Sequence, residues 1–229
     1  MITLPIDNTT DSKIHRYQGV LLSTLLDQVF NQQWRHYDAI KFIAEDGYHP
    51  IIPVANILAH KGLIAIGEES HLGFSPLTRQ SGEVIAPGSF YLMWENIIDA
   101  SANKDNWLSG AWQLSRIELT NFAQEYPHSS PPHSADSKIN QGFIAFQQHC
   151  IKCHTINGDG GKEGPELNYP MNVTEYWRED VLVKFIADPQ SVRYSSKMLA
   201  FYRDTDNRTE IIDSVIAYLK SMKNKKIAP

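Results

Sequence analysis

Residues 149–168, HCIKCHTINGDGGKEGPELN, hold the chain's two cysteines, Cys150 and Cys153, three positions apart and followed directly by His154. Two thiols at this spacing can form thioether bonds to a haem while the adjacent imidazole reaches the iron from one side. Zinc would call for four ligands, and neither a second Cys pair nor any histidine after position 154 is present. A thioredoxin-like dithiol would stand before a helix, whose dipole lowers the thiol pKa. Here the pair follows one: Ile139, Phe143, Phe146 and Cys150 recur at spacings of four, three and four, the mark of an amphipathic helix ending at the cysteines. Haem attachment is the reading carried forward, with a redox dithiol and another metal as the alternatives.

A haem iron held by His154 needs a second axial ligand. Met171 lies too close to the cysteine segment to cross to the far face, and Met222 falls on the packing stripe of the last helix. Met198, in the irregular stretch RYSSKMLAF, stands 44 residues beyond His154 and just before that helix, and is the candidate. A histidine partner would have to come from the linker or the N-terminal half.

The surrounding chain reads as two domains. Residues 124–137, within QEYPHSSPPHSADSK, crowd Pro, Ser and His and are expected to form a linker between residues 1–123 and 138–229. Residues 1–125 carry 8 Lys or Arg against 14 Asp or Glu, net −6; residues 126–229 carry 13 against 12, net +1. The N-terminal half is expected to be α+β. GVLLSTLLDQVF places Val20, Leu21, Leu25, Leu26 and Val29 at helical spacing, and AIKFIAEDGYHPIIPV reads as two strands around an Asp46-Gly47 turn. In SGAWQLSRIELT, alternation puts Trp112, Leu114 and Arg116 on one face. The C-terminal half is expected to be all α, with a helix over EDVLVKFIAD that stops before Pro189 and a last one over TEIIDSVIAYLKSMKNKK.

At 42% hydrophobic and 21% charged, with net charge −5, the composition is that of a globular protein and offers no basic surface for nucleic acid. Its apolar runs are far shorter than the roughly 18 residues a membrane span requires. MITLPIDNTTDSKIH lacks a basic end followed by an apolar core, so no export signal is visible at the start.

Residues from about 138 to 224, through GFIAFQQHCIKCHTINGDGGKEGPELN, FIADPQSVRYSSKMLAF and IIDSVIAYLKSM, resemble a class I c-type cytochrome. The resemblance implies that the first and last helices cross at Gly142, Phe146 and Tyr218. It also implies that Gly164 and Pro165 belong to the haem pocket, a backbone carbonyl beside Pro165 orienting the proximal imidazole. The family often places proline after the axial methionine; here Leu199 stands there, which implies a less rigid methionine loop. More weakly, YQGVLLSTLLDQVF, AIKFIAEDGYHPIIPVANIL and SGAWQLSRIEL are similar to the molybdopterin-binding domain of the sulfite oxidase superfamily. In that family a cysteine thiolate binds molybdenum, and residues 1–125 contain no cysteine, so a metal-free scaffold or binding domain is expected and molybdopterin is not.

Five aromatics, Phe90, Tyr91, Trp94, Trp107 and Trp112, are expected to be core before they are a pocket lining. His15, His36, His49, His60 and His71 show no metal spacing, and KSMKNKK is expected to be a solvated helix end. The expectation is a periplasmic mono-haem electron carrier: haem c on Cys150 and Cys153, iron on His154 and Met198, a pocket including Gly164 and Pro165, and redox proteins as partners. The compartment follows from haem attachment outside the cytoplasm, with the signal absent from this sequence. The alternatives are a haem-based sensor of small ligands and the electron-transfer part of a molybdenum oxidoreductase.

Overall fold

The structure, a computed structural model, describes residues 1–8, 13–69, 73–78, 84–201 and 206–228. They divide into two compact units, Met1–Glu125 and Tyr126–Pro229.

The first unit is built on two antiparallel sheets. Strands β1 (Ile2–Asn8), β2 (Lys13–Leu21), β5 (Gly62–Glu68) and β8 (Tyr91–Trp94) form one in that order; β4 (Ile51–Pro53), β3 (Ala39–Ala44) and β9 (Leu114–Thr120) form the other. Helix α1 (Leu22–Phe30) follows β2, the short α2 (Val54–Ala59) follows β4, and β6 (Leu77–Thr78) pairs with β7 (Val84–Ile85). The near-continuous apolar run of β5 is explained by burial on both faces. Alternation sends Ile64 into a cluster with Leu22, Leu26, Trp34, Phe42 and Leu92, and Leu63 and Ala65 into a second with Tyr17, Tyr91 and Met93.

The hairpin expected at Asp46-Gly47 forms, with Gly47 at φ 89° and Ile40 opposite Ile52. Two expectations shift by a residue or more. Strand β2 runs on to Leu21, so α1 buries Leu22 and Leu26 and leaves Val29 61% exposed. In β9 the register slips opposite Ile43 and Ala44, so Leu114, Ile117 and Leu119 pack on the first cluster, Trp112 on the second, and Arg116 stays outside paired with Glu118. The five aromatics do not line one pocket. Tyr91 and Trp94 enter different core clusters, Trp107 packs on Phe122 in α3 (Phe122–Glu125), and Phe90 is exposed.

The second unit is mostly helical: α4 (Ser137–His149), α5 (Val173–Tyr176), α6 (Glu179–Ala187), α7 (Pro189–Val192) and α8 (Arg208–Met222), with a tight hairpin of β10 (Thr155–Ile156) and β11 (Asp159–Gly160). Asp136 caps α4 by accepting from the Ile139 amide, 2.9 Å. α6 ends before Pro189, which starts α7 as its first helical residue. The helix α8 buries a wide face: Ile212, Val215, Ile216, Tyr218, Leu219 and Met222.

The crossing of α4 and α8 is close enough to demand glycine. A Cβ on Gly142 would lie 1.9 Å from the Ser214 carbonyl oxygen, and the Tyr218 ring packs 5.3 Å from Phe143 and 5.2 Å from Phe146. Of the stretch expected as a linker, the residues from Tyr126 onward fall in this unit. Tyr126 and Ser129 are buried, the Tyr218 hydroxyl donates to the Ser129 carbonyl (2.6 Å), and the His128 amide donates to Asp159 (2.6 Å). A buried phenol needs an acceptor, and the backbone of this polar stretch supplies it. The lysine run at the end of α8 is also tied down: Lys220 pairs with Glu179, Lys226 with Glu175, and Lys225 donates to the Ser130 carbonyl.

Gly142→Ala is expected to lower the stability of the second unit by about 1–3 kcal/mol, the usual cost of overpacking. Ile144→Ala, on the exposed side of the same helix, is expected to change it by no more than about 0.5 kcal/mol. The shift in denaturant midpoint of the full chain, followed by a probe of the second unit, measures both.

Candidate functional site

Helix α4 delivers the cysteine pair. Cys150 is its C-cap, its amide bonded to the Phe146 carbonyl at 2.9 Å, and the chain then turns so that the Cys153 and His154 amides both donate to the Cys150 carbonyl, at 3.1 and 3.0 Å. The β10–β11 hairpin reverses the chain through Asn157-Gly158, both at positive φ, as a two-residue hairpin turn requires. That reversal returns residues 161–165 to the cysteine turn. Gly161 donates to the Ile151 carbonyl and Gly164 to the Cys153 carbonyl, both at 2.7 Å.

His154 is held by two of these returning residues. Its Nδ1 lies 2.9 Å from the Pro165 carbonyl oxygen; a carbonyl can only accept, so Nδ1 carries the proton and Nε2 keeps its lone pair. A Cβ on Gly164 would fall 2.5–3.0 Å from three atoms of the imidazole, so only glycine lets the backbone lie this close to the ring. Burial pulls the His154 pKa below its ordinary value, against the Pro165 bond that raises it. A neutral imidazole with one nitrogen fixed and the other free is the form in which histidine binds a metal.

The thiols are set up differently from a redox dithiol. Burial pushes Cys150 up to about 12 and Cys153 higher still, with the carboxylate of Glu163 adding to the latter; the Cys153 thiol donates to Glu163 at 3.4 Å. Among the described residues, no group of three or more His, Cys, Asp and Glu side chains is placed to hold a metal ion, as zinc would need. Two thiols one turn apart, a histidine whose Nε2 bonds to none of the described residues, and a ring backed by bare glycine fit covalent haem.

Met198 lies on the irregular segment after α7 and is half-buried. In that segment Ser195 adopts φ 60° and Tyr194 is 95% exposed. The segment is fastened at Phe201, whose amide donates to the Ile186 carbonyl (3.2 Å) and whose carbonyl accepts from Arg208 (3.0 Å). The contacts above bring Cys150, Cys153, His154, Gly164 and Pro165 together. Met198 is linked to them through Phe201, which packs on His149.

A polar cluster behind the site had no reading in the sequence. Asn157, Asn168 and Asn172 are buried and mutually bonded, and they reach the Lys225 and Leu219 carbonyls of the C-terminal segment. Asn172 and Glu175 form a capping box on α5, and their N-x-x-E spacing was the visible signal. Glu166 gathers the amides of Asn157, Gly158, Asn168 and Tyr169. Burial works against its charge, yet these donors hold its pKa below the ordinary carboxylate value.

The first unit offers a groove of about 430 Å³ lined by Leu21, Ser23, Arg35, Ile57, His60 and Lys61. Within it Arg35 pairs with Asp27, and the His60 ring lies between Asp99 (2.6 Å) and Asp105 (3.3 Å). The histidines expected to be scattered include His71, which lies outside the described residues.

Among protein families, that of cytochrome c matches residues 139–223. A comparison with curated proteins finds none that matches. The second unit therefore carries a cytochrome c domain, with haem-based electron transfer as its chemistry, and the first is a mixed α/β unit. No helix among the described residues is long and apolar enough to cross a membrane.

Glu166→Gln is expected to lower stability at neutral pH by about 1–3 kcal/mol, because the variant loses the charge that its amide donors solvate. A carboxylate with a depressed folded pKa stabilises above its unfolded value of about 4.3 and loses that contribution as pH falls through the folded value. The difference between the two proteins is expected to hold above about pH 5 and to shrink on acidification below the unfolded value, measured by denaturation as a function of pH.

Proposed function

We propose that this protein is a mono-haem c-type electron carrier: Cys150 and Cys153 would hold the haem through thioether bonds, His154 Nε2 and Met198 would bind its iron, and Gly164 and Pro165 back the His154 ring. The observation that carries this reading is the His154 imidazole, fixed by the Pro165 carbonyl and packed on Gly164, on the same turn as the Cys150 and Cys153 thiols.

Bound haem would supply a one-electron couple, and a methionine together with a histidine on its iron would favour a high potential. The protein's part is to hold that ligand set steady, so that little rearranges as the charge changes. The Pro165 carbonyl fixes which histidine nitrogen is free, and its bond strengthens the imidazole as a donor. Buried Phe146, Ile151 and Ile156 keep the inner side of the cysteine turn dry.

Covalent attachment implies export, and we assign the protein to the periplasm with a redox protein as its partner. For the first unit we keep the sulfite-oxidase-like fold as a scaffold or binding domain. Its lack of cysteine supports the absence of molybdopterin chemistry there. A second reading, a sensor in which Met198 yields to a small ligand, is favoured by the exposed Tyr194 and by Leu199, 57% exposed where the family often has proline.

The reduced protein is expected to show a c-type spectrum and the oxidised protein a sulfur-to-iron band. Met198→Ala is expected to abolish that band and lower the reduction potential while the haem stays covalently attached. An unchanged iron site in Met198→Ala would remove the axial assignment. Carbon monoxide titration separates carrier from sensor, since a carrier with a firm sixth ligand binds it weakly.

A further inference from the structure

His149, the last residue of α4, is not used by the ligand set proposed above. Its ring packs edge-on against Phe201, centroids 4.7 Å apart at 62°. Its Nε2 is buried with no hydrogen-bond partner among the described residues. A buried polar nitrogen left unpaired is costly, so the position is maintained by packing and not by a hydrogen bond from that atom. Burial, with Lys152 nearby, brings its pKa down to about 4, so the ring is neutral at ordinary pH and packs as an aromatic.

Phe201 is the fastened end of the segment that carries Met198. It is buried, its amide is bonded to Ile186, and its carbonyl accepts from Arg208, whose same Nη2 also donates to the Ala187 carbonyl. Upstream, residues 190–195 are exposed, as are Lys197 and Leu199. Before Met198 the segment is tied by the Ser196 amide to the Arg193 carbonyl (3.1 Å) and by Gln190 to the Ser196 carbonyl (3.5 Å); three positions past it stands the buried Phe201, and the ring Phe201 meets is next to Cys150.

We infer that His149 is a positioning residue, a latch that joins the cysteine-bearing helix to the methionine segment through Phe201 and sets how firmly Met198 is held against the iron. The inference rests on the proposal that Met198 is the sixth ligand. Opening the latch frees the segment without touching a ligand, so the fraction of protein with an open iron position rises. The apparent affinity for an external ligand rises in proportion to that fraction.

The test uses the full chain carrying its haem, with His149→Ala, Phe201→Ala and His149→Phe. Removing one aromatic pair is expected to raise the carbon monoxide affinity of the reduced protein roughly two- to tenfold. His149→Ala is also expected to weaken the sulfur-to-iron band and to speed hydrogen exchange at the Phe201 amide. His149→Phe keeps a ring and is expected to behave like the parent. Because the two residues act through one contact, the double alanine variant is expected to gain little over either single one. Unchanged carbon monoxide affinity and unchanged Phe201 exchange in His149→Ala, with the sulfur-to-iron band present in the parent, would overturn the latch alone. Absence of that band in the parent would overturn the Met198 assignment and the latch with it.

Discussion

The close crossing of α4 and α8 at Gly142 governs the second unit. Only a residue without a side chain lets the Ser214 backbone approach α4 at that point, and Tyr218 then packs between Phe143 and the buried Phe146. The same tyrosine reaches on to the Ser129 carbonyl, which fixes the stretch before α4. With α4 fixed along its length, its C-terminal end is fixed too, and that end is His149 followed by Cys150. Within α8 the Leu219 carbonyl accepts from Asn172, and beyond α8 the chain returns to the site, where the Lys225 carbonyl and Ile227 amide meet Asn157. The loop bearing Gly164 and Pro165 is thus anchored to the helix that crosses α4. One steric constraint positions both sides of the His154 imidazole.

Features that depend on near neighbours could be read in the sequence. The Cys-x-x-Cys-His spacing, the three-and-four periodicity leading to Cys150, the Asp46-Gly47 turn and the stop before Pro189 are all local rules of backbone geometry. Features that depend on distant partners could not. The phase of α1 was hidden because β2 continues to Leu21, and the slip in β9 is created by its pairing with Ile43 and Ala44. Residues 126–130 resemble a linker by composition, and the Tyr218 hydroxyl, Asp159, Asn157 and Lys225 reveal that their backbone is in use. His149 carried no signal, since its meaning lies in a ring 52 positions away.

The two units divide the chemistry unequally. Both cysteines and the candidate methionine lie in the second, whose net charge is +1, while the first is net −6 and supplies two aromatic-rich core layers around a doubly buried strand. In the second unit, burial raises the thiol pKa values and lowers that of His154, so the chain holds neutral groups where haem would be received. That pattern suits covalent attachment and iron ligation better than thiolate redox chemistry, in which the thiol pKa must fall.

The most direct test of this account is the mass of the protein, and of the peptide spanning Cys150 and Cys153, after expression together with a c-type haem attachment system. The account predicts the mass increment of one haem, confined to that peptide and resistant to denaturation, and its loss when both cysteines are replaced by alanine. An unmodified peptide with two free thiols from a folded protein would contradict it.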